Sequence, residues 1–196
     1  MPHPTLAFKE LGQIFQGITL SRYQSAEGSD ERIVNVRDLD LLYLKDRNSL
    51  SQTLLQASDI ERYRLHLNDV VIAIRGTLLK ASVVKEEVQG SVPGQNVAVF
   101  RPKLDMVNPL YVAVLMRSKW LEQSLNILQR QSTTTLPAIR VSQLRIIEIP
   151  LPDLPTQNQI AQLFLLGERN AEILREELNI QKNIVEFTLF QILEGQ

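Results

Sequence analysis

Apolar residues along the last forty positions return at alternating four- and three-residue steps. Ile160, Phe164, Gly167, Ala171, Leu174 and Leu178 occupy that seam, Val185 and Ile192 continue it, and no proline interrupts residues 157–194. The repeat predicts one helix patterned to meet another helix. At 1.5 Å per residue it would run roughly 55 Å, longer than a domain of this size is wide. Another chain is therefore expected to cover the seam; the alternative is a helix folded back on its own domain.

Upstream the pattern is shorter and mixed. Phe8, Leu11 and Ile14 stand at helix-like spacing within residues 5–16, and Gly17 ends that segment. Gly28-Ser29-Asp30 marks a turn, and residues 32–37 alternate like a half-buried strand. Residues 57–67 read as a short helix capped by Asp59. After a turn at Asn68-Asp69, the run Val70–Ile74 has the character of a buried strand, Arg75-Gly76-Thr77 breaks it, and residues 78–84 resume strand character. Residues 91–94 form a loop before a strand at 97–101. Asn108-Pro109 is an N-cap with proline at the first helical position, opening a helix or helix pair that runs to about Leu128. Residues 129–137 lack apolar periodicity and read as a loop, residues 141–144 as one turn, and residues 146–149 as a strand. Pro150, Pro152 and Pro155 stiffen the passage that follows.

The expected fold class is α+β: a globular domain of mixed or antiparallel strands and short helices over residues 1–150. A proline-rich hinge (151–156) and a long coiled-coil helix (157–196) follow.

Charge changes the picture slightly. The 196 residues carry a formal net charge of −1, but residues 1–150 hold 18 Lys+Arg against 15 Asp+Glu, while residues 151–196 hold 3 against 7. A mildly basic body suits phosphate and an acidic helix suits protein. The absence of cysteine excludes disulfides, thiol nucleophiles and cysteine-bound zinc. No run approaches the length of a membrane span and no signal-peptide order opens the chain, so a cytoplasmic protein is expected.

Catalytic signatures are missing. The chain has no phosphate-binding glycine loop, nucleophile elbow or H-E-x-x-H helix. Asp38 and Asp40 read as solvated loop acids, and His66, lacking partners for a base, as structural. No metal site and no catalytic residue is therefore assigned, and the chain reads as a binding module. The remaining polar groups suit recognition: Arg22, Tyr23, Arg37, Arg75, Thr77, Gln95, Asn96, Arg130, Ser132, Thr133 and Thr134 supply guanidiniums, amides and hydroxyls on expected loops. Arginine can pair with guanine edges, Asn and Gln with adenine, and Thr with phosphate or a thymine methyl. For Arg37 and Arg75 the alternative is an ion pair with Asp38 or Asp69, and for the rest a solvated surface.

Five stretches in order resemble the specificity (S) subunit of type I restriction-modification systems. They are Leu11–Gly17; Leu67–Gly76, like the family's l-x-G-D-v-l-i-a-r-x-G; Gln95–Pro102, like q-n-v-x-x-l-r-p; Ser132–Leu144; and Ile149–Ala161, like i-P-l-P-p-l-x-e-Q-x-x-I-a. Asn68 stands where the family usually has glycine, and Gln131-Ser132 where a glycine pair is common.

The resemblance implies a non-catalytic, sequence-specific reader of double-stranded DNA, with one target recognition domain and one conserved helix where typical subunits have two of each. It further implies a homodimer through antiparallel helices, with Ile160, Phe164, Ala171, Leu174, Leu178, Val185 and Ile192 at the interface. Identical domains would then read an interrupted palindrome. The implied partners are a DNA adenine methyltransferase (modification) subunit and, in a full complex, an ATP-dependent restriction subunit. S-adenosylmethionine, ATP and Mg would be used by those partners, and no cofactor by this chain. Two other readings stand beside it: a coiled-coil scaffold or adaptor that binds protein, and a detached recognition domain serving a fused restriction–methylation enzyme.

Overall fold

The computed structural model describes residues 3–44, 46–56, 60–129 and 138–194. In chain order the strands are β1 (Thr5–Ala7), β2 (Gly12–Gln16), β3 (Gln24–Val34), β4 (Ser51–Leu55), β5 (Val70–Ala73), β6 (Ala81–Val83), β7 (Val92–Pro93), β8 (Val97–Pro102) and β9 (Glu148–Pro150). The α-helices are α1 (Pro109–Arg117), α2 (Lys119–Gln129), α3 (Val141–Ile146) and α4 (Leu154–Glu194). Mixed strands and short helices followed by one long helix make this an α+β fold.

The central antiparallel sheet has the order β2-β8-β5-β6. Its register sets Ile14, Phe100, Val70 and Ile72 on one face and Phe15, Val99, Val71 and Ala73 on the other, because successive strand residues point to opposite sides. Helix α1 lies against β5 and β6, and α3 against β2. Val71, Ala73, Val97 and Val99 pack with Val34, Leu39, Leu44, Leu50 and Leu65. With both faces covered, β5 and β8 need no polar face, which is why they read as continuous apolar runs. A second sheet orders β4-β3-β7, antiparallel between β3 and β4 and parallel between β3 and β7. It closes a smaller core of Ile18, Ile33, Leu55, Ile60 and Val92. Strands β1 and β9 pair from opposite ends of the domain.

Two motif residues are structural. The carboxylate of Asp69 accepts from Arg101 Nε at 2.9 Å and Nη2 at 2.8 Å, and from the amide of His66 at 2.8 Å. The L-N-D-V turn is thereby tied to strand β8. Asn68 holds that turn at φ 69°, a left-handed position where asparagine substitutes for the glycine usual in the resembling family. The buried amide of Gln157 accepts from Asn108 N (2.8 Å) and donates to Pro152 O (2.8 Å), and Tyr111 Oη donates to Pro150 O (2.6 Å). These bonds fix the first turns of α4 on the domain that contains them.

Several sequence expectations change. Residues 5–16 form β1, a 3-10 turn at Phe8–Glu10 and β2 instead of a helix; the three-residue spacing comes from the tight turn, and Phe8, Leu11 and Ile14 are all buried. Gly28–Asp30 is no turn but lies within β3, beside a register shift between Gln24 and Ser29 that marks a bulge. Of the expected 57–67 helix, Ile60 is helical, Glu61–Tyr63 form a 3-10 turn and residues 64–67 leave the helix, while Ala57–Asp59, with the proposed cap, lie outside the described residues. Strand character resumes only at β6, because Gly76 (φ 79°) and Leu79 (φ 61°) keep the preceding loop out of extended geometry. Val92–Pro93, read as loop, adds a short strand beside β3.

In the proline-rich passage, expected to be stiff and extended, β9 ends at Pro150 and Leu151 N donates to Pro4 O at 2.8 Å. Helix α4 starts at Leu154, three residues earlier than Gln157. Asp153 Oδ1 caps it by accepting from Thr156 N at 3.0 Å, and Pro155 sits in a first turn that needs no amide donor.

The chain divides into residues 1–161 and 162–196. The first unit holds the sheets and the opening turns of α4. The second, by itself, is helix with no buried residue among those described. No helix among the described residues is long and apolar enough to cross a membrane.

Candidate nucleic-acid interface

Three loops meet at one end of the central sheet. The amides of Ile74 and Arg75 donate to the carbonyl of Asn96 at 3.0 and 3.3 Å, which locks the loop after β5 to the turn before β8. Gln16 Nε2, at the end of β2, donates to Gln95 O at 2.9 Å. Arg75 forms an isolated bridge with Ala138, and Ile139 N donates to Ile74 O at 2.8 Å. The backbone of this end is thus fixed, while Arg75, Thr77, Gln95 and Asn96 are exposed. Gly17 makes the assembly compact: a Cβ there would lie 2.2 Å from Gly94 O. A rigid backbone presenting a guanidinium, a hydroxyl and two amides is suited to reading hydrogen-bonding edges.

Arg130, Ser132, Thr133 and Thr134 lie outside the described residues. Their segment re-enters at Ala138, beside Arg75.

The other expected residues are elsewhere. Arg37 stands on a 3-10 turn (Val36–Asp38), 69% exposed and 3.8 Å from Asp38, which matches the ion-pair alternative. Arg75 does not pair with Asp69, whose carboxylate is taken by Arg101. Of the two acids read as solvated, Asp40 is exposed and Asp38 is not. Asp38 is half-buried and caps Asn35 N at 2.7 Å, with burial pushing its carboxyl above the usual range, while Asp40 bonds Lys80 at 2.6 Å. His66 is exposed, and its backbone amide bonds Asp69. Among the described residues no three His, Asp or Glu side chains gather as a metal site.

Tyr23 joins a second surface that sequence reasoning missed. Its ring meets Tyr63 edge-on with centroids 6.3 Å apart, and Phe15 lies 6.5 Å from Tyr63. Arg62 rests 4.8 Å over the Tyr63 ring and donates from Nη2 to Tyr63 Oη at 3.0 Å. The signal was available as a repeated dipeptide, Arg22-Tyr23 and Arg62-Tyr63. Nothing in the sequence said that the two would meet.

Along α4 the expected seam is largely open: Leu174, Leu178, Val185 and Ile192 are exposed, while Ile160, Phe164 and Ala171 are half-buried. A second row went unread. Leu166, Ile173, Ile180 and Phe187 recur every seven residues and are also exposed. At about 100° per residue they stand on the opposite side of the helix from the seam.

The profile of the type I restriction modification DNA specificity domain matches residues 6–187. The MjaX type I restriction enzyme specificity subunit of Methanocaldococcus jannaschii is 26% identical over 136 residues, covering 65% of this chain and 31% of that protein. Among solved structures, one of type I restriction-modification complex assembly and conformational transition superposes with a TM-score of 0.66 at 18% identity, covering 93% of this chain and 46% of the other. The HsdS subunit of Thermoanaerobacter tengcongensis gives 0.66 at 19% identity, covering 92% and 46%. The chain spans under half the length of these relatives.

Proposed function

The chain belongs to the family of type I restriction modification DNA specificity domains, and on that premise we propose that it reads one half of a split double-stranded DNA site. The observation that carries this reading is the convergence of Arg75, Thr77, Gln95 and Asn96 on one hydrogen-bonded sheet end, with Ala138 bridged to Arg75 beside them. An arginine can take both acceptors of a guanine, and an Asn or Gln amide can match the donor and acceptor of an adenine. The chain performs no catalysis in this reading. It places a methyltransferase subunit, which carries S-adenosylmethionine, over an adenine; a restriction subunit using ATP and Mg joins the same assembly.

Two copies pair antiparallel through the seam of Ile160, Phe164, Ala171, Leu174, Leu178, Val185 and Ile192. Two-fold symmetry then makes the site an interrupted palindrome. The opposite row of α4 supports a further helical partner, and the methyltransferase subunit supplies it. A scaffold without DNA specificity would leave the sheet-end side chains without a role.

Methylome sequencing of a host expressing the chain with its methyltransferase tests the proposal. Modified adenines should fall in a bipartite motif with inverted-repeat halves, and Asn96→Ala should alter the base preference in both halves alike. A continuous or asymmetric motif overturns the homodimer, and absence of new methylation overturns the function.

A further inference from the structure

Arginines two positions apart have opposite fates on this domain. Arg64 is committed: it donates to both oxygens of Glu31 at 2.8 Å, to Gly90 O at 2.8 Å and to Glu61 at 2.6 Å. Arg62 is exposed, and among the described residues no carboxylate forms a salt bridge with it. It donates to the Tyr63 hydroxyl, over whose ring the guanidinium rests, and its side chain also bonds Tyr23.

The tyrosines have a double setting. Tyr23 and Tyr63 pack against the core of Ile18, Ile33, Leu55, Ile60 and Val92, so the apolar bodies of both rings are anchored. A buried ring body with its hydroxyl toward water is the usual compromise for tyrosine. Tyr63 Oη accepts from Arg62 and still has its own proton to donate. The guanidinium has five N–H donors, and its bonds to Tyr63 and Tyr23 leave others open to solvent. The patch therefore offers several donors, positive charge and a pre-set orientation, which suit the acceptor oxygens of a phosphate. Phe15 touches this surface, and Gln16, the next residue, bonds the Gln95 turn, so the two surfaces flank the end of β2.

We propose that the surface where Tyr23 meets Arg62-Tyr63 grips a phosphate of the DNA backbone, with Arg62 as the ligand and Tyr63 as the residue that aims it. This rests on the DNA-reading function above and adds a sequence-independent anchor beside the base-reading edge. A phosphate contact fixes position on the duplex without carrying sequence information.

The test uses the full chain co-expressed with the methyltransferase subunit that the proposed function pairs it with. Affinity is measured across a salt series on duplexes with and without the recognised site. For Arg62→Gln, the slope of log affinity against log salt should fall by about 1 per protein–phosphate contact on both duplexes, with the preference between them unchanged. Tyr63→Phe keeps the ring and should weaken both duplexes equally. Asn96→Ala should instead change the preference and leave the slope alone. A wild-type slope in Arg62→Gln, with the wild type binding normally, overturns the phosphate grip and leaves the DNA function standing. A changed base preference in Arg62→Gln overturns the assignment to the backbone. A wild-type complex with no salt-dependent DNA binding overturns both.

Discussion

The domain and the distal part of α4 treat apolar surface in opposite ways. In β5 and β8 the apolar side chains are buried on both faces of the sheet, and the charged residues near them are paired inside the domain, as Asp69 with Arg101 and Glu31 with Arg64. From Leu166 to Glu194 the large apolar side chains are exposed, Ile192 by 70% and Phe187 by 65%. The difference separates two kinds of information. A region that satisfies its own apolar surface is stabilised from within, and only its remaining exposed polar groups are available for recognition. A helix with apolar rows left uncovered has surface that a partner would cover under the proposed function, and an isolated helix gains little from backbone hydrogen bonding alone. Exposed apolar stripes of this length mark interaction surfaces.

The sharpest way to break the comparison is to make the helix polar. Leu174→Glu with Leu178→Glu removes four leucines from a two-fold seam, each contributing about 1.5–3 kcal/mol of burial. At about 1.4 kcal/mol per factor of ten, the dimer dissociation constant should rise by roughly four powers of ten or more. Sedimentation should show a concentration-dependent dimer for the wild type and a monomer for the variant, with thermal unfolding of the domain unmoved. A monomeric wild type ends the idea that a second copy covers the seam.

The converse change acts on the domain alone. Asp69→Ala leaves Arg101 and the His66 amide without their acceptor. Breaking such a buried pair costs about 3 kcal/mol, at the lower end of the usual range because Arg101 is partly solvated. The urea midpoint of the domain should fall accordingly while dimer affinity holds. A loss below about 1 kcal/mol would mean that the ion pair merely breaks even against its desolvation, and that packing alone holds the two strands.

The same contrast explains what the sequence disclosed. The α4 seam was legible because a helical period is local: each seam residue predicts the next by spacing alone. Val70–Ala73, Val97–Arg101 and the Asn108-Pro109 cap were legible for similar reasons, being apolar runs or a two-residue start signal. Where tertiary geometry decides, the reading went wrong. Phe8, Leu11 and Ile14 have the spacing of a helix, but a 3-10 turn between two strands delivers the same three side chains to the core. Gly28–Asp30 has the composition of a turn and forms part of a bulged strand. The opposite row of α4, Leu166 to Phe187, was equally local and was hidden by the stronger seam. At the site, Arg75, Thr77, Gln95 and Asn96 were identifiable as loop polar groups, yet their meeting depends on hydrogen bonds between loops twenty residues apart. Arg62 and Tyr63 were missed because their significance lies in meeting Tyr23, forty residues away.

A smaller effect sharpens the comparison through pH. Glu31 is buried, and hydrogen bonds from Arg64 hold its carboxyl below the ordinary value of 4.5, with burial opposing and Ser29 assisting. A carboxyl whose folded pKa is depressed adds stability that is fully present above the unfolded pKa and is lost as pH falls through the folded one. Domain stability should therefore decline from about pH 4.5 downward, with this one proton contributing at most about 1.4 kcal/mol per pH unit. Glu31→Gln cannot titrate. It should be less stable than the wild type at neutral pH and less sensitive to acid, so the two stability curves converge as pH drops. Urea denaturation between about pH 3 and 7, which spans the carboxylate range, would measure both. Parallel curves would show that the Glu31–Arg64 pair adds no proton-linked stability, and the contrast between a domain secured by its own charges and a helix whose apolar rows are exposed would then rest on Asp69 and Arg101 alone.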